Sequence, residues 1–590
     1  MNYLILKGVM IHMPELMGNP LKVADSRYFV EGVETKWSEL AIRVGSSIAM
    51  AESSEINRKK YSDIFTESIF NLEFIPGGRI LRNAGRIKGS LFNCYVLPFG
   101  DSREEIGKYF SDSFCLWGSG GGIGTNLSSL RPEGAPIRGV GGKSSGPISF
   151  LKASDFIAET IQIGGQRRAA GLALMNVRHP DILKFINAKL VDKLIPHYNI
   201  SVGVTEDFLQ RVESNNMWDL KFAQKTYDTI DARTLWDTLI SNMLTSAEPG
   251  LINWDNLREN NSYFYAPVIT TNPCGEAILS PYETCCLGSI VLPKFVGKGG
   301  NTNWIKIQAT IENSVRFLDD VIDCNNYVLD VIKTKSFDSR RIGLGYMGLA
   351  DYLFAKKLRY GSTKALEETE KLAKFVRNCV YESLVKLSSE KGAFPKFDST
   401  AYSKAKFIRT LPPSLRMDIK KYGSRCVTGI SIAPTGTISL IAGVSSGIEP
   451  LFLKAYERKD QISNRIYIHD LYKQALKDNT DDIDEWFVDT SDLKPEDHLE
   501  TQSIVQKYVD GGVSKTINFQ EDISHEKLSS LLLEYIRDLK GVTIYVDGSR
   551  EGQILNKISK EKIKEFLKKE QFDSDADIDT VKCSSGSCEL

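Results

Sequence analysis

The sequence predicts an α/β protein, and three observations carry that prediction. From about residue 90, short apolar runs alternate with Gly-rich turns: Phe92 to Leu97, then Gly118 to Gly124, then Gly139 to Gly146. Longer stretches with apolar residues at three- and four-residue spacing recur along the chain, and such alternation is the pattern of strands covered by helices. The 590 residues, 42% hydrophobic and 25% charged, have an ordinary globular composition and suffice for a large core. Length alone allows about one to four domains, either several small modules or one large barrel behind a smaller N-terminal part.

Taken in order, residues 35–75 are predicted helical, because Trp37, Leu40, Ala41, Val44 and Ile48 fall on one helix face. Pro76-Gly77-Gly78 then imposes a turn. Helical periodicity returns at 149–162, 205–213, 231–244, 306–333 and 364–389. A Lys/Glu-rich helix is predicted over 557–570. From Gln571 the chain is acidic and then rich in Ser and Gly, so it has little to bury and a mobile tail is expected.

The 74 basic and 75 acidic side chains give a net charge of -1, which argues against a general binder of nucleic acid or of anionic membrane. No apolar run reaches the roughly 18 residues of a membrane span. The N-terminus lacks the basic-then-apolar pattern of a secretory signal. A soluble, cytoplasmic protein is expected. Ten cysteines in a chain of this length are too sparse for a disulfide scaffold. With no CxxC and no histidines four apart, no dedicated metal site is expected. Redox or nucleophilic cysteine chemistry stays open.

Two Gly-rich segments invite nucleotide-loop readings and fail them. Gly118-Ser-Gly-Gly-Gly-Ile-Gly124 misses the GxGxxG spacing from every starting glycine, and Gly142-Lys143-Ser144 has Ile137 where a phosphate loop opens with glycine. Either could cradle phosphate with backbone amides, or serve simply as a turn.

Thr271 to Ser289 is more informative. Pro273 and Gly275 disfavour helix and regular ladder, so an extended loop is predicted. Alternate residues of an extended chain share a face, which would bring the Asn272 amide, the Cys274 thiol and the Glu276 carboxylate together. The competing reading is a buried cysteine beside a solvated glutamate.

Asn272-x-Cys274-x-Glu276, followed by Cys285-x-Leu-Gly-Ser289, resembles the active-site loop of ribonucleotide reductase catalytic subunits. Four further segments agree in order. Phe92-Asn-Cys94-Tyr-Val-Leu-Pro98 resembles the first redox-cysteine strand, and Gly164-Gly-Gln-Arg-Arg-Ala-Ala170 the second specificity loop. Ala433-Pro-Thr-Gly-Thr-Ile-Ser439 resembles the substrate-phosphate loop, and Gly541 to Arg550 the end of the barrel.

The resemblance implies a ten-stranded α/β barrel of two five-stranded parallel half-sheets around a central active-site finger loop. It divides the chain into a helical N-terminal region over 1–80 without an ATP-cone, the barrel over 81–556, and a C-terminal helix with a mobile redox tail over 557–590. It also implies roles. Cys274 is the thiyl radical that takes and returns the ribose 3′-hydrogen, Glu276 the general base for the 3′-hydroxyl, and Asn272 the group that orients the sugar hydroxyls. Cys94 and Cys285 are the reducing pair. The register favours Cys285, with Cys286 beside it as the alternative. Cys583 and Cys588 on the tail would re-reduce that pair by thiol–disulfide exchange, with a thioredoxin- or glutaredoxin-like donor behind them. Pro434, Thr435, Gly436, Thr437 and Ser439 would hold the substrate phosphates. Asp101, Ser102, Arg131, Arg138 and Arg167 would bind a dNTP or ATP specificity effector, at the interface of a homodimer.

Members of the family differ in radical source. The chain has no Tyr-Tyr pair, Tyr545 being followed by Val546, and no C-terminal glycyl-radical motif. The resemblance therefore points to the adenosylcobalamin-dependent class. The alternative is a catalytic subunit that receives its radical from a separate metal-bearing subunit. From another class, the chain could be a nucleotide-binding protein on the same barrel that reduces nothing. Diphosphate and triphosphate substrates both remain open, and overall on/off control by ATP and dATP is expected to be missing.

Overall fold

The computed structural model describes residues 3–6, 9–12, 15–137, 141–161, 169–190, 194–459, 464–477, 482–519, 523–546, 555–557 and 563. Its largest sheet has seven strands. Gly250–Asn253, Tyr198–Val204, Gly171–Asn176, Gly122–Asn126 and Cys94–Val96 lie side by side, every neighbouring pair parallel. On the far edge Gly541–Val546 runs antiparallel to Gly250–Asn253, and Thr516–Phe519 runs parallel to Gly541–Val546. The segments Leu172 to Met175 and Ile200 to Val204 are buried nearly throughout, as expected where helices cover both faces of a parallel sheet.

A second sheet pairs Leu287–Val291 in parallel with Gly343–Met347 and antiparallel with Phe74–Pro76. Single parallel bridges continue it from Leu344 to Ile430 and from Ile432 to Val513. An antiparallel bridge from Tyr95 to Thr284 joins the outer strand of the first sheet to the chain entering the second.

The predicted helices are present with sharper ends. The 35–75 stretch holds two helices, Trp37–Ala49 and Glu55–Phe70, the second capped by the Ser54 side chain on the Asn57 amide, and its end from Phe74 is strand rather than helix. They cross closely at Gly45, where a Cβ would stand 2.4 Å from Thr66 Oγ1. The other predicted helices appear as Pro147–Thr160, Glu206–Glu213, Ala232–Ser246 and Thr363–Lys391. The 306–333 stretch divides into Trp304–Cys324 and Asp330–Ser339. Of the predicted 557–570 helix only Lys557, which ends a short strand, and Ile563 are among the described residues.

The N-terminal helices and both sheets contribute to one apolar core. A buried ionic network joins them as well. Glu52 accepts from Arg316 and Lys391, and Lys391 also reaches Asp320 at 2.6 Å. Asp319 in turn binds Arg340 and Arg425. The three carboxylates Asp319, Asp320 and Asp323 lie close enough to hold a cation, but each already faces one of these basic side chains. No helix among the described residues is long and apolar enough to cross a membrane.

Candidate active site

The segment carrying Asn272, Cys274 and Glu276 is a hairpin tip, not the extended chain expected from sequence. Thr270–Thr271 pairs antiparallel with Ile278–Leu279. Between them Gly275 donates its amide to the Asn272 carbonyl at 3.0 Å, with Pro273 in the second position of the turn and Gly275, at φ +81°, in the fourth. Asn272 closes the base of the tip twice: its amide donates to the Ala277 carbonyl at 3.1 Å, and its side-chain oxygen accepts the Ala277 amide at 2.9 Å. The three groups converge because the chain reverses. Asn272 and Glu276 stand on the two arms, and Cys274 rides on the tip.

Burial separates them. Asn272 and Glu276 are 0% and 1% exposed, whereas Cys274 is half-buried. Desolvation pushes the Glu276 carboxyl up to about 7, against the opposing influence of the Asn272 amide beside it. That pair is not a closed hydrogen bond. Asn272 Nδ2 and Glu276 Oε2 both lack a partner among the described residues, so the site holds an unused donor and an unused acceptor side by side. Burial without partners is what a site waiting for a polar ligand offers.

The cysteines sort clearly. Thr284 donates its hydroxyl to the Cys94 carbonyl at 2.7 Å and Cys285 its amide to the same carbonyl at 3.2 Å. This lateral pairing brings the two thiols together, and the neighbouring Cys94 thiol, then burial, holds the Cys285 thiol well above its ordinary pKa. Both belong to a small apolar cluster with Val96, Ala277 and Leu279, directly behind the hairpin. Cys286 faces the opposite way, its sulfur on the Leu318 carbonyl at 3.4 Å.

Thr435, in the left-handed region at φ +57°, starts the short helix Gly436–Ala442. Its hydroxyl accepts the Gly447 amide at 2.8 Å, and Ser439 meets Ser446 at 2.9 Å. These two side chains brace their own loop, which leaves backbone amides and Thr437 for any ligand. One cleft, with about 550 Å³ of empty space partly open to solvent, is lined by Cys94, Cys274, Glu276, the backbone from Ala433 to Ile438, and Gly77 and Gly78. Three of the sequence motifs thus meet around a single space.

The predicted effector residues are only partly described. Arg131 donates to Asp101 through both its backbone amide and Nε, at 2.9 and 2.8 Å. Ser102 caps the helix Arg103–Gly118 in a capping box with Glu105. Arg138, Arg167, Cys583 and Cys588 lie outside the described residues.

Sequence reasoning missed the segment under the hairpin. Gly512 donates its amide to the Glu276 carbonyl at 2.6 Å, and a Cβ there would stand 2.1 Å from the Gly275 carbonyl oxygen. Only glycine allows that approach. Asp510-Gly511-Gly512 reads as an ordinary turn in one dimension, so no local signal marks it.

Comparison with known proteins agrees with this geometry. Residues 92–545 match the profile described as "Ribonucleotide reductase, barrel domain". The chain is 36% identical over 524 residues to the "Vitamin B12-dependent ribonucleoside-diphosphate reductase" of Thermoplasma acidophilum, covering 84% of this chain and 66% of that protein. It is 33% identical over 548 residues to the Mycobacterium tuberculosis protein of the same name, covering 88% and 77%. The "Ribonucleoside-diphosphate reductase subunit alpha" of Chlamydia pneumoniae is 25% identical, covering 83% and 55%. With the matched span containing the hairpin, the facing thiols and the 433–439 loop, the chain belongs to the ribonucleotide reductase family.

Proposed function

We propose that the chain reduces ribonucleoside diphosphates to deoxyribonucleotides by thiyl-radical chemistry, with adenosylcobalamin as radical source. The observation that carries this reading is the meeting of the half-buried Cys274 thiol, the buried Glu276 carboxyl and Cys94 at one cleft, with Cys285 packed beside Cys94. The names of the Thermoplasma and Mycobacterium relatives support both the cofactor and the diphosphate.

The cofactor fits the chain on one point of geometry: of the three tip groups only Cys274 is accessible, so a radical source has an approach to its sulfur. Bound there, adenosylcobalamin would supply the one-electron chemistry that removes the hydrogen of that thiol. The rest falls to the chain. Cys274 takes the 3′-hydrogen, and Glu276, poised near neutrality, takes the 3′-hydroxyl proton. Asn272 donates its unused amide hydrogen to a sugar hydroxyl. The 2′-hydroxyl leaves as water with a proton from the thiol pair, and Cys94 and Cys285 supply the two electrons and end as a disulfide. Glu276 gives its proton back to the 3′-oxygen, and Cys274 returns the hydrogen to C3′. Pro434, Thr435, Gly436, Thr437 and Ser439 form the phosphate-binding loop.

The strand pairings support a ten-stranded barrel. Five parallel strands run from Cys94–Val96 to Gly250–Asn253, and a second set runs from Leu287–Val291 through 343–347, 430–432 and 513–519 to Gly541–Val546. Antiparallel contacts at Leu251–Val542 and Tyr95–Thr284 would join the two halves around the hairpin as its finger loop. We assign 1–80 to an N-terminal region of helices with three short strands, 81–556 to the barrel and 557–590 to the segment bearing the tail cysteines. Cys583 and Cys588 would re-reduce the active-site pair with electrons from a thioredoxin- or glutaredoxin-like protein. A homodimer is supported by Phe114 and Phe156, 57% and 68% exposed on the helices beside Asp101 and Ser102, where a dNTP or ATP effector would bind with Arg131, Arg138 and Arg167. A cytoplasmic site of action suits such a substrate.

The test is the purified chain with adenosylcobalamin, a dithiol, and ribonucleoside diphosphate and triphosphate in parallel. Deoxyribonucleotide formed from the diphosphate supports the proposal. Strict dependence on a second, metal-bearing protein would replace it with the subunit reading.

A further inference from the structure

Lys540 is 4% exposed, yet among the described residues no carboxylate lies within ion-pairing distance of its ammonium. Its partners are backbone carbonyls: Asp510 at 2.8 Å, Asn260 at 2.9 Å, Gly511 at 3.0 Å and Val509 at 3.5 Å. Three of these four lie in the turn that passes beneath the hairpin. A lysine immediately before an edge-proximal strand, as Lys540 stands before Gly541–Val546, would ordinarily extend to water. Here a cation is instead desolvated to gather three consecutive carbonyls of one turn, and burial lowers its pKa to about 7 while the nearby Asp510 charge opposes that shift.

The same turn is fixed from its other side. The Asp510 carboxylate accepts the amides of Gly429 and Ile430, both at 2.8 Å, and the Tyr381 hydroxyl. Gln506 donates to the Val509 and Gly511 carbonyls at 3.1 and 3.2 Å. The turn so held delivers the Gly512 amide to the Glu276 carbonyl, and the Gly512 carbonyl accepts the Ile432 amide at 3.1 Å. One side chain therefore stabilises a turn whose two faces touch the hairpin arm bearing Glu276 and the strand that enters the 433–439 loop.

We propose that Lys540 is a positioning residue for the reaction, holding the Asp510–Gly512 turn so that Glu276 and Cys274 keep their geometry. The inference rests on the function proposed above for those two residues. Lys540 touches neither the cleft nor its ligand, so its effect passes through backbone alone.

The test uses the full chain in three forms: parent, Lys540→Met, and Lys540→Met with Asp510→Asn. The double variant removes both charges, so no uncompensated carboxylate is left buried. With cofactor, dithiol and ribonucleoside diphosphate, kcat of the folded variants should fall roughly 10- to 100-fold while KM moves less than about threefold. Without cofactor or substrate, amide exchange at Gly512 and Ala277 should accelerate in both variants, while Leu251 and Ile252 in the large sheet keep their protection. Unchanged kcat per folded molecule, or a loss confined to KM, would overturn the proposal, as would unchanged exchange at Gly512. A parent chain that reduces no ribonucleotide would overturn the functional reading, and the exchange measurement would still decide whether Lys540 positions the hairpin.

Discussion

Cys285 donates its amide to the carbonyl of Cys94 at 3.2 Å, and the two side chains pack in one small apolar cluster behind the hairpin. Cys286, one residue further, is turned by the alternation of the strand onto the Leu318 carbonyl. Direction therefore favours Cys285 over its neighbour as the partner of Cys94. Cys285→Ser is expected to abolish turnover with a dithiol, whereas Cys286→Ala should keep activity within about threefold of the parent. Steady-state assays on the two variants check this, and a dead Cys286→Ala enzyme would reverse the assignment.

Cys274→Ser removes the sulfur and keeps the shape of the tip. Deoxyribonucleotide formation should disappear while nucleotide binding, measured by equilibrium dialysis, stays within about threefold, because the 433–439 loop is untouched. Residual reduction by the serine variant would rule out the thiyl role.

Glu276 gives a pH signature with a definite sign. Its carboxyl is held at about 7 in the folded protein against an ordinary 4.5, so the folded state binds more protons between those values. The resulting stability is full below pH 4.5 and is lost as pH rises through 7. Glu276→Gln lacks this loss. Its stability relative to the parent should be higher at pH 8 than at pH 5 by about 2 to 3 kcal/mol, read from urea unfolding. Catalysis runs the other way: a base must be deprotonated, so parent activity should climb with pH through about 7. A stability gap independent of pH would contradict the buried, desolvated carboxyl.

Gly512→Ala places a methyl group against the Gly275 carbonyl, where the free distance is 2.1 Å. Either the turn or the hairpin must yield, at a cost of about 1–3 kcal/mol. The loss should appear both as a lower melting temperature and as a lower kcat. Full activity in this variant would mean that the contact does not govern the hairpin.

Much of the site was legible because its chemistry-bearing residues are rare types in ordered motifs. Cys94, Cys274, Glu276 and the 433–438 loop line one cleft. The local conformation was misread, since Pro273 and Gly275 serve an extended chain and a reversal equally well. What settles the turn is the closing pair of hydrogen bonds between Asn272 and Ala277, which depends on the strands flanking it. Helix breaks at 50–54 and 325–329 were lost for a related reason, because apolar spacing continues across short interruptions. Lys540 and Asp510 left no signal, as a charged residue beside a strand or turn looks solvated until tertiary contacts enclose it.

The exposure difference at the hairpin tip has a chemical cost. A sulfur that must be reachable by a radical source is equally reachable by electrophiles and oxidants, whereas Glu276 and Asn272 are sheltered by the same fold. Alkylating reagents should therefore inactivate through Cys274 ahead of the buried Cys94 and Cys285. Nucleotide filling the cleft would act as a shield, making substrate protection against inactivation a simple footprint of where the sugar lies.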